Sequence, residues 1–219
     1  MTGTLNASIS HIPIPKRMKH LPISDTGFLT PWFVPRDQNG QPVPQAADPA
    51  KRHRAYRNSL CWCCGQALGI HMAFILGPMC LVNRVTAEPA SHRECAEYAV
   101  RACPFLSKPR MKRNPTTPTE HKVPSAGIMI ERNPGVVLIW MTRFYKPFRD
   151  RDGGVLFSVG EPDEVLFYSE GRIATRAEVL ESINSGLPIL REIASREGHS
   201  AVAELDKQYL RALKYLPPE

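Results

Sequence analysis

Cys-Trp-Cys-Cys-Gly at residues 61–65 and Ser-His-Arg-Glu-Cys at residues 91–95 are the two stretches on which the predicted fold of this chain depends. The first contains a Cys-x-x-Cys pair, followed by a glycine that lets the backbone turn back. In the second, a histidine and a cysteine are three residues apart, which on a helix places both side chains on one face. Together they predict a site for a structural Zn²⁺ with the ligands Cys61, Cys64, His92 and Cys95.

The second stretch also carries a signal for the start of a helix. Ser91 and Glu94 have the spacing of a capping box, so a helix is predicted to begin at His92. The N-terminus of a helix stabilises negative charge, which lowers the pKa of a cysteine thiol placed there. Cys95 is therefore expected to bind a metal ion as a thiolate.

Residues 72–76 and 80–82, which lie between the two stretches, are strand-like, and Gly77-Pro78 predicts a turn that joins them in a hairpin. The order of knuckle, hairpin and helix resembles the treble-clef zinc fold over about residues 58–105, and this resemblance implies one structural zinc ion. The chain as a whole also resembles uncharacterised proteins carried by phages and bacteria.

The six cysteines leave alternatives open. As disulfides they could pair in 15 ways. Residues 1–10 do not have the pattern of a secretory signal, so a reducing, cytoplasmic location is expected, where such clusters bind metal. Cys63 or Cys103 could replace one of the four ligands, and Cys63 and Cys80 are otherwise expected to be core thiols. The competing hypothesis is that all the cysteines are small buried side chains and that His92 caps the helix.

Charge is unevenly distributed along the chain, whose formal net charge is +7. Residues 1–150 hold 20 Lys and Arg against 9 Asp and Glu, whereas residues 151–219 hold 8 against 12. Basic clusters can neutralise phosphates, so DNA or RNA is the expected partner, with a protein partner or plain solvated loops as alternatives. The residues predicted to bind nucleic acid are Lys51, Arg52, Arg54, Arg57, Arg110, Lys112 and Arg113.

Proline-rich segments divide the chain. Residues 1–55 are predicted to form an extended arm anchored by Phe28, Trp32 and Phe33, because eight of the 21 prolines lie within the first 50 residues. The further predicted units are the zinc-binding unit at 56–106, a proline-rich basic linker at 107–125 and an α+β unit at 126–219. The fold class is therefore α+β, with antiparallel strands covered by C-terminal helices.

The α+β unit is predicted to contain strands followed by three helices. Strands are expected at residues 128–130, 136–141, 155–159 and 165–168. Thr175 begins a capping box for the first helix, Gly186 and Pro188 are predicted to separate it from the second, and Ser200 is predicted to cap the third.

The predicted function is that of a nucleic-acid-binding or interaction protein with a non-catalytic zinc ion. The alternative is a metal-dependent nuclease similar to HNH enzymes, which would use His71, Asn83 and His92. The sequence has no Asp-His or His-His pair at His71, and His92 cannot serve both as fourth zinc ligand and as catalytic ligand. The His-x-Glu motif of deaminases is missing, and so is any apolar run of the ~18 residues that a membrane span needs.

Overall fold

A computed structural model describes residues 3–44, 46–108 and 135–219 of the chain. The predicted strand at 128–130, most of the predicted linker and the basic residues Arg110, Lys112 and Arg113 lie outside the described residues. The elements in chain order are α1 (Pro49–Arg57), β1 (Met72–Leu76), α2 (Pro78–Asn83), β2 (Val85–Thr86), α3 (Arg93–Ala102), α4 (Pro104–Ser107), β3 (Val136–Thr142), β4 (Tyr145–Arg149), β5 (Val155–Val159), β6 (Glu164–Ser169), β7 (Arg172–Ile173), α5 (Arg176–Glu197) and α6 (His199–Ala212), with 3₁₀ turns at Lys16–Met18 and Leu213–Tyr215.

Two antiparallel sheets form the centre of the structure. One has the strand order β1-β3-β6-β7 and the other the order β2-β5-β4. β3 is buried at all seven positions and pairs with β1 on one side and β6 on the other. A strand buried on both faces is a nearly continuous hydrophobic run, as is the sequence Val-Val-Leu-Ile-Trp-Met-Thr of β3. The first sheet thus joins a strand of the predicted zinc-binding unit to strands of the predicted C-terminal unit.

The C-terminal helices pack on these strands, which confirms the predicted α+β class. Phe74 and Trp140 from the first sheet, Phe157 from the second and Ile183 from α5 are fully buried in one core. Apolar burial of this kind is the main favourable contribution to folding. The strands predicted at 136–141, 155–159 and 165–168 are confirmed, as is the capping box at Thr175.

The predicted hairpin at residues 72–82 is wrong in its second strand. Residues 80–82 lie in α2, where Gly77 occupies the N-cap position and Pro78 is the first helical residue. Proline suits that position because its missing N–H would have no helical partner there. β1 pairs with β3 instead, and its Ala73 also forms an isolated bridge to Ser91.

Two predicted helix boundaries in the C-terminal region are also wrong. α5 continues through Gly186 and Pro188 to Glu197, because this helix buries Gly186 and Leu187 and the buried contacts offset the backbone bond that proline cannot make. The last helix has Gly198 as its N-cap, with no side-chain cap, so Ser200 does not have the predicted role. Two long helices therefore replace the predicted three.

The N-terminal arm lies against the cysteine region. Residues 3–44 form turns, isolated bridges and one 3₁₀ turn, and their apolar side chains share a cluster with the cysteines; the buried members from the arm are Ile9, Ile12, Met18 and Leu21. Phe28 and Trp32 pack on the same cluster, and Phe33 stacks on Trp62 with ring centroids 4.6 Å apart. The predicted boundary between residues 55 and 56 falls within α1, and the division into units stays a prediction.

Candidate metal centre

The knuckle at residues 61–65 is a tight turn that brings Cys61 and Cys64 together. The backbone N–H of Gly65 donates to the carbonyl of Cys61 at 2.8 Å, and Gly65 has a positive φ of 75°. A Cβ atom at this glycine would lie 2.6 Å from the ring of Trp32. Glycine is therefore required both by the turn and by the close approach of the arm.

The N-terminus of α3 carries the other two residues that the sequence predicts as ligands. His92 is the N-cap residue and Cys95 is the third residue of the helix. The segment before the helix is fixed by two backbone bonds between Ala73 and Ser91, at 2.7 and 2.8 Å, so β1 holds the helix start in place. Ser91 does not form the predicted capping box, since its hydroxyl lies 3.3 Å from the Cys63 sulfur instead.

Cys61, Cys64, His92 and Cys95 form a buried cluster, and their ligand atoms all lie within 4.8 Å of one another. His92 Nδ1 is 3.4 Å from the sulfur of Cys64 and 3.9 Å from that of Cys95. A tetrahedral ion with Zn–S bonds of about 2.3 Å separates its sulfur ligands by roughly 3.8 Å. The four residues could therefore bind a metal ion, and they are the four that the sequence predicted.

A hydrogen bond fixes the tautomer of His92. Its Nε2 lies 2.9 Å from the carbonyl oxygen of Ala67, which can only accept, so Nε2 carries the proton. The other ring nitrogen, Nδ1, faces the sulfurs of Cys64 and Cys95. Metal-binding histidines commonly donate their second ring N–H to a carbonyl in this way.

The three thiols cannot all ionise without a cation. Hydrogen bonds from the thiols of Cys63, Cys64 and Cys95 hold the pKa of Cys61 far below its usual range. The thiolate at Cys61 raises the pKa of Cys64 to about 11 and raises that of Cys95 further. Two backbone N–H groups, of Cys64 and His92, also donate to the Cys61 sulfur. A divalent ion would supply the charge that lets all three sulfurs bind as thiolates.

The other cysteines lie outside this cluster. All six are free thiols, and neither Cys63 nor Cys103 contributes to the four-residue group. Cys63 is buried as predicted, whereas Cys80 is half-buried in α2, where desolvation raises the pKa of its thiol to about 11. Desolvation also raises the pKa of Cys103, the residue at which α3 ends.

The basic residues of α1 fall into two groups. The ammonium of Lys51 donates to the carbonyl of Val34 at 2.9 Å, and the guanidinium of Arg52 donates to the carbonyls of Ala87 and Val155. Both side chains are thus occupied in holding the fold together. Arg54 and Arg57 are exposed, with the Arg54 guanidinium 5.7 Å from the ring centre of Trp32.

The three residues of the nuclease alternative have separate surroundings. His71 is exposed and lies 3.2 Å from a carboxylate oxygen of Asp163. The side chain of Asn83 accepts from the backbone N–H of Val85, and His92 belongs to the cysteine cluster. None of the hydrogen bonds within the described part of the chain joins any two of the three.

A further basic stretch is not among the residues predicted to bind nucleic acid. Residues 143–151 read Arg-Phe-Tyr-Lys-Pro-Phe-Arg-Asp-Arg and contain β4, an edge strand of the second sheet. Its Phe144 and Phe148 are exposed. The alternation of cationic and aromatic residues is the signal that could have identified it, because each is typical of surfaces that bind nucleic acid.

No protein-family model, curated protein or solved structure matches the chain. Within the three described ranges, every helix is too short or too polar to cross a lipid bilayer. The function is therefore inferred from the chemistry of the site and the surface.

Proposed function

We propose that the Cys₃His cluster binds one Zn²⁺ ion as a structural, non-catalytic centre. The observation that carries this proposal is the convergence of four buried ligand atoms within 4.8 Å, with His92 Nδ1 facing the sulfurs of Cys64 and Cys95. Three thiolates and one imidazole form a ligand set typical of structural zinc. Because the protein would fill all four tetrahedral positions, no position would remain for a water or a substrate.

The ion would join segments that have little regular structure of their own. It would connect the knuckle to the start of α3, and the N-terminal arm packs on this region through residues such as Ile12 and Met18. The ligand order, with the knuckle first and the helix N-terminus second, supports a treble-clef-like arrangement in which α2 stands where the second hairpin strand was predicted. Binding free energy at such a site contributes directly to folding.

Metal content tests the zinc proposal. Protein purified without a metal-affinity tag should contain one zinc per chain, and Cys64→Ser should lose most of it. Cys80→Ser is the matched control, because Cys80 lies in α2 outside the cluster. Cobalt in place of zinc should give the absorption bands of a tetrahedral thiolate site. Zinc-free protein, or equal zinc content in the two variants, would contradict the proposal.

We further propose that the protein binds DNA or RNA in a reducing, cytoplasmic compartment. The support is the positive charge of residues 1–150 and the exposure of Arg54 and Arg57 on α1. Contacts to phosphates release counterions, so affinity should fall steeply with salt and depend little on sequence.

Binding of a labelled oligonucleotide at several salt concentrations tests this second proposal. Replacing both Arg54 and Arg57 by Ala should reduce the slope of log affinity against log salt, by about 0.9 per lost phosphate contact on duplex DNA. Arg196→Ala is the control, because Arg196 is exposed on α5 and pairs with Glu192. Absence of binding at low salt would reject nucleic acid and leave a protein partner as the better hypothesis.

A further inference from the structure

The outer face of β4 presents two aromatic rings with a cation between them. Side chains alternate along a strand, so Phe144, Lys146 and Phe148 share one face. Phe144 continues the ladder beyond the strand, since its carbonyl accepts from the N–H of Gly160 at 2.9 Å. We call these three residues the β4 face. The opposite side of the strand carries Tyr145, which packs edge-on against Phe74 in the core.

The rings of the β4 face are open to solvent. Phe144 is 78% exposed and Phe148 is 38% exposed, although large aromatic side chains usually contribute to cores. Four strand positions span about 13 Å, so the two rings are separate platforms with room for a side chain between them. Lys146 occupies that intermediate position.

Positive charge surrounds the rings. Residues 143–151 contain four cationic side chains, of which Arg143 pairs with Asp163 at 3.1 Å and Arg149 donates to the carbonyl of Gly153 at 2.7 Å. The one acidic residue, Asp150, accepts the N–H groups of Asp152 and Gly154 in the following turn. The side chains of Lys146 and Arg151 are exposed and have no hydrogen-bond or ion-pair partner among the described residues. The surface therefore complements an anionic ligand.

The edge position of β4 does not favour a peptide strand as the ligand. Pro147 lies in the middle of the strand and has no N–H to donate to an added strand. Proline and lysine on an edge are devices that prevent pairing with another strand. The aromatic rings, by contrast, can stack on the π-face of any unpaired base, and duplex bases are already stacked on one another.

We propose that the β4 face binds single-stranded nucleic acid, with bases stacked on Phe144 and Phe148 and phosphates neutralised by Lys146 and Arg151. This inference rests on the proposed nucleic-acid binding and names the surface and the strand form that it prefers. Contacts of α1 to the phosphate backbone would act on single strands and duplexes alike, whereas stacking of bases on the rings acts on single strands alone.

Fluorescence anisotropy with three labelled probes tests the inference: oligo(dT), oligo(rU) and a duplex of mixed sequence. Phe144→Ala should weaken binding of at least one single-stranded probe about 5- to 100-fold and leave duplex binding unchanged, given the usual contribution of one stacked base. Phe144→Tyr should keep the affinity because the ring is retained. Lys146→Ala should reduce the salt slope for single strands by about 0.7.

Leu210→Ala is the matched control, because Leu210 is a large apolar residue that is 63% exposed on α6. The variants should share the thermal midpoint of the wild type, since the substituted side chains are exposed. If wild-type protein binds none of the probes at low salt, the proposed nucleic-acid binding fails, and this inference with it. If wild-type protein binds single strands but Phe144→Ala behaves like Leu210→Ala, only the inference is overturned.

Discussion

The guanidinium of Arg84 donates to both carboxylate oxygens of Glu161, at 2.6 and 3.1 Å. Arg84 follows α2 in the left-handed conformation, and its charge lies over the rings of Trp140 and Tyr215, at 5.4 and 5.5 Å from their centres. The hydroxyl of Tyr215 also donates to Glu161 at 2.6 Å. These contacts attach the 3₁₀ turn Leu213–Tyr215 to the loop between β5 and β6 and to Trp140 of β3.

This ion pair predicts that the difference in stability between the wild type and Glu161→Gln depends on pH. Hydrogen bonding to Arg84 and then to Tyr215 lowers the pKa of Glu161 to about 2, from an ordinary value near 4.5. A depressed pKa in the folded state stabilises the fold above about pH 4.5, and the stabilisation disappears as the pH falls toward 2. Because the carboxylate is 72% exposed, Glu161→Gln should lower the unfolding free energy at pH 7 by less than about 1 kcal/mol.

Urea unfolding at pH 7 and near pH 2.5 measures this difference. The stability difference between the wild type and Glu161→Gln should be clearly smaller at the lower pH, because the Glu161 carboxylate is then partly protonated. Glu181→Gln serves as the control, because Glu181 is exposed on α5 with no described partner, and it should match the wild type at both pH values. If Glu161→Gln were less stable than the wild type by the same amount at both pH values, the negative charge of Glu161 would not be the source of the stabilisation.

The contact between Gly65 and Trp32 predicts that Gly65→Ala damages the metal centre. The substitution combines a positive φ of 75° with a Cβ placed 2.6 Å from the Trp32 ring. Gly40→Ala is the control, because Gly40 has a φ of 77° and open space around its Cα. The control substitution should lower the unfolding free energy by about 1–2 kcal/mol, because of the left-handed conformation alone.

Gly65→Ala should lower the unfolding free energy by more than about 3 kcal/mol, since the clash of the new Cβ with Trp32 adds to the same backbone strain. Thermal unfolding and zinc content of the two variants provide the measurement. Equal losses of stability, with zinc retained in both, would show that the arm can move away from the knuckle at no cost.

Removal of the metal should release the N-terminal arm. The arm packs on the cysteine cluster through Ile12 and Met18, and its Trp32 N–H donates to the Cys63 carbonyl at 2.8 Å. Once a chelator removes zinc, Cys64 and Cys95 regain protons and the knuckle loses its link to α3. Limited trypsin digestion should then cut rapidly at Arg17 and Lys19, and added zinc should restore protection.

The digestion experiment carries its own internal reference. Arg191 lies on α5 and pairs with Asp206 of α6 at 2.8 Å, at a position distant in sequence from the proposed ligands. Cleavage there should keep the same rate with and without chelator. A uniform increase at all sites would indicate global unfolding and would refute selective release of the arm.

The start of α5 predicts a further difference between two hydroxyl residues. Thr175 caps the helix by accepting the N–H of Glu178, while the Glu178 carboxylate accepts the N–H of Thr175 at 2.8 Å. Thr175→Ala should therefore lower the unfolding free energy by about 1 kcal/mol. Ser200→Ala should have little effect, because Gly198 is the N-cap of α6. Denaturant unfolding of both variants checks this, and equal effects would contradict the assigned caps.

The sequence predicted the ligands because their chemistry is local. Cys61 and Cys64 share one turn, and His92 and Cys95 share the first turn of a helix, so spacing alone places each pair. The two pairs meet where the backbone N–H of Trp62 in the knuckle donates to the carbonyl of Ala90 at 2.9 Å, a contact that spacing does not encode.

Sequence patterns failed where tertiary packing or an ambiguous signal decided the outcome. The apolar run at residues 80–82 fits a strand or a buried helix equally well, and Pro78 is as typical of a first helical position as of a turn. Pro188 lies inside α5 because burial of Leu187 outweighs the lost backbone bond. The pairing of β1 with β3 joins residues about 65 positions apart, beyond the range of any local pattern.

That long-range pairing has a consequence for synthesis of the chain. All four proposed ligands are translated before β3, so zinc could bind while the ribosome is still making the residues that follow. β1 has the apolar sequence Met-Ala-Phe-Ile-Leu, and it would remain unpaired until its partner strand, Val136–Thr142, has left the ribosome. An unpaired apolar strand is a template for aggregation. Early metal binding would thus order the knuckle during the interval in which the nascent chain most needs chaperone protection.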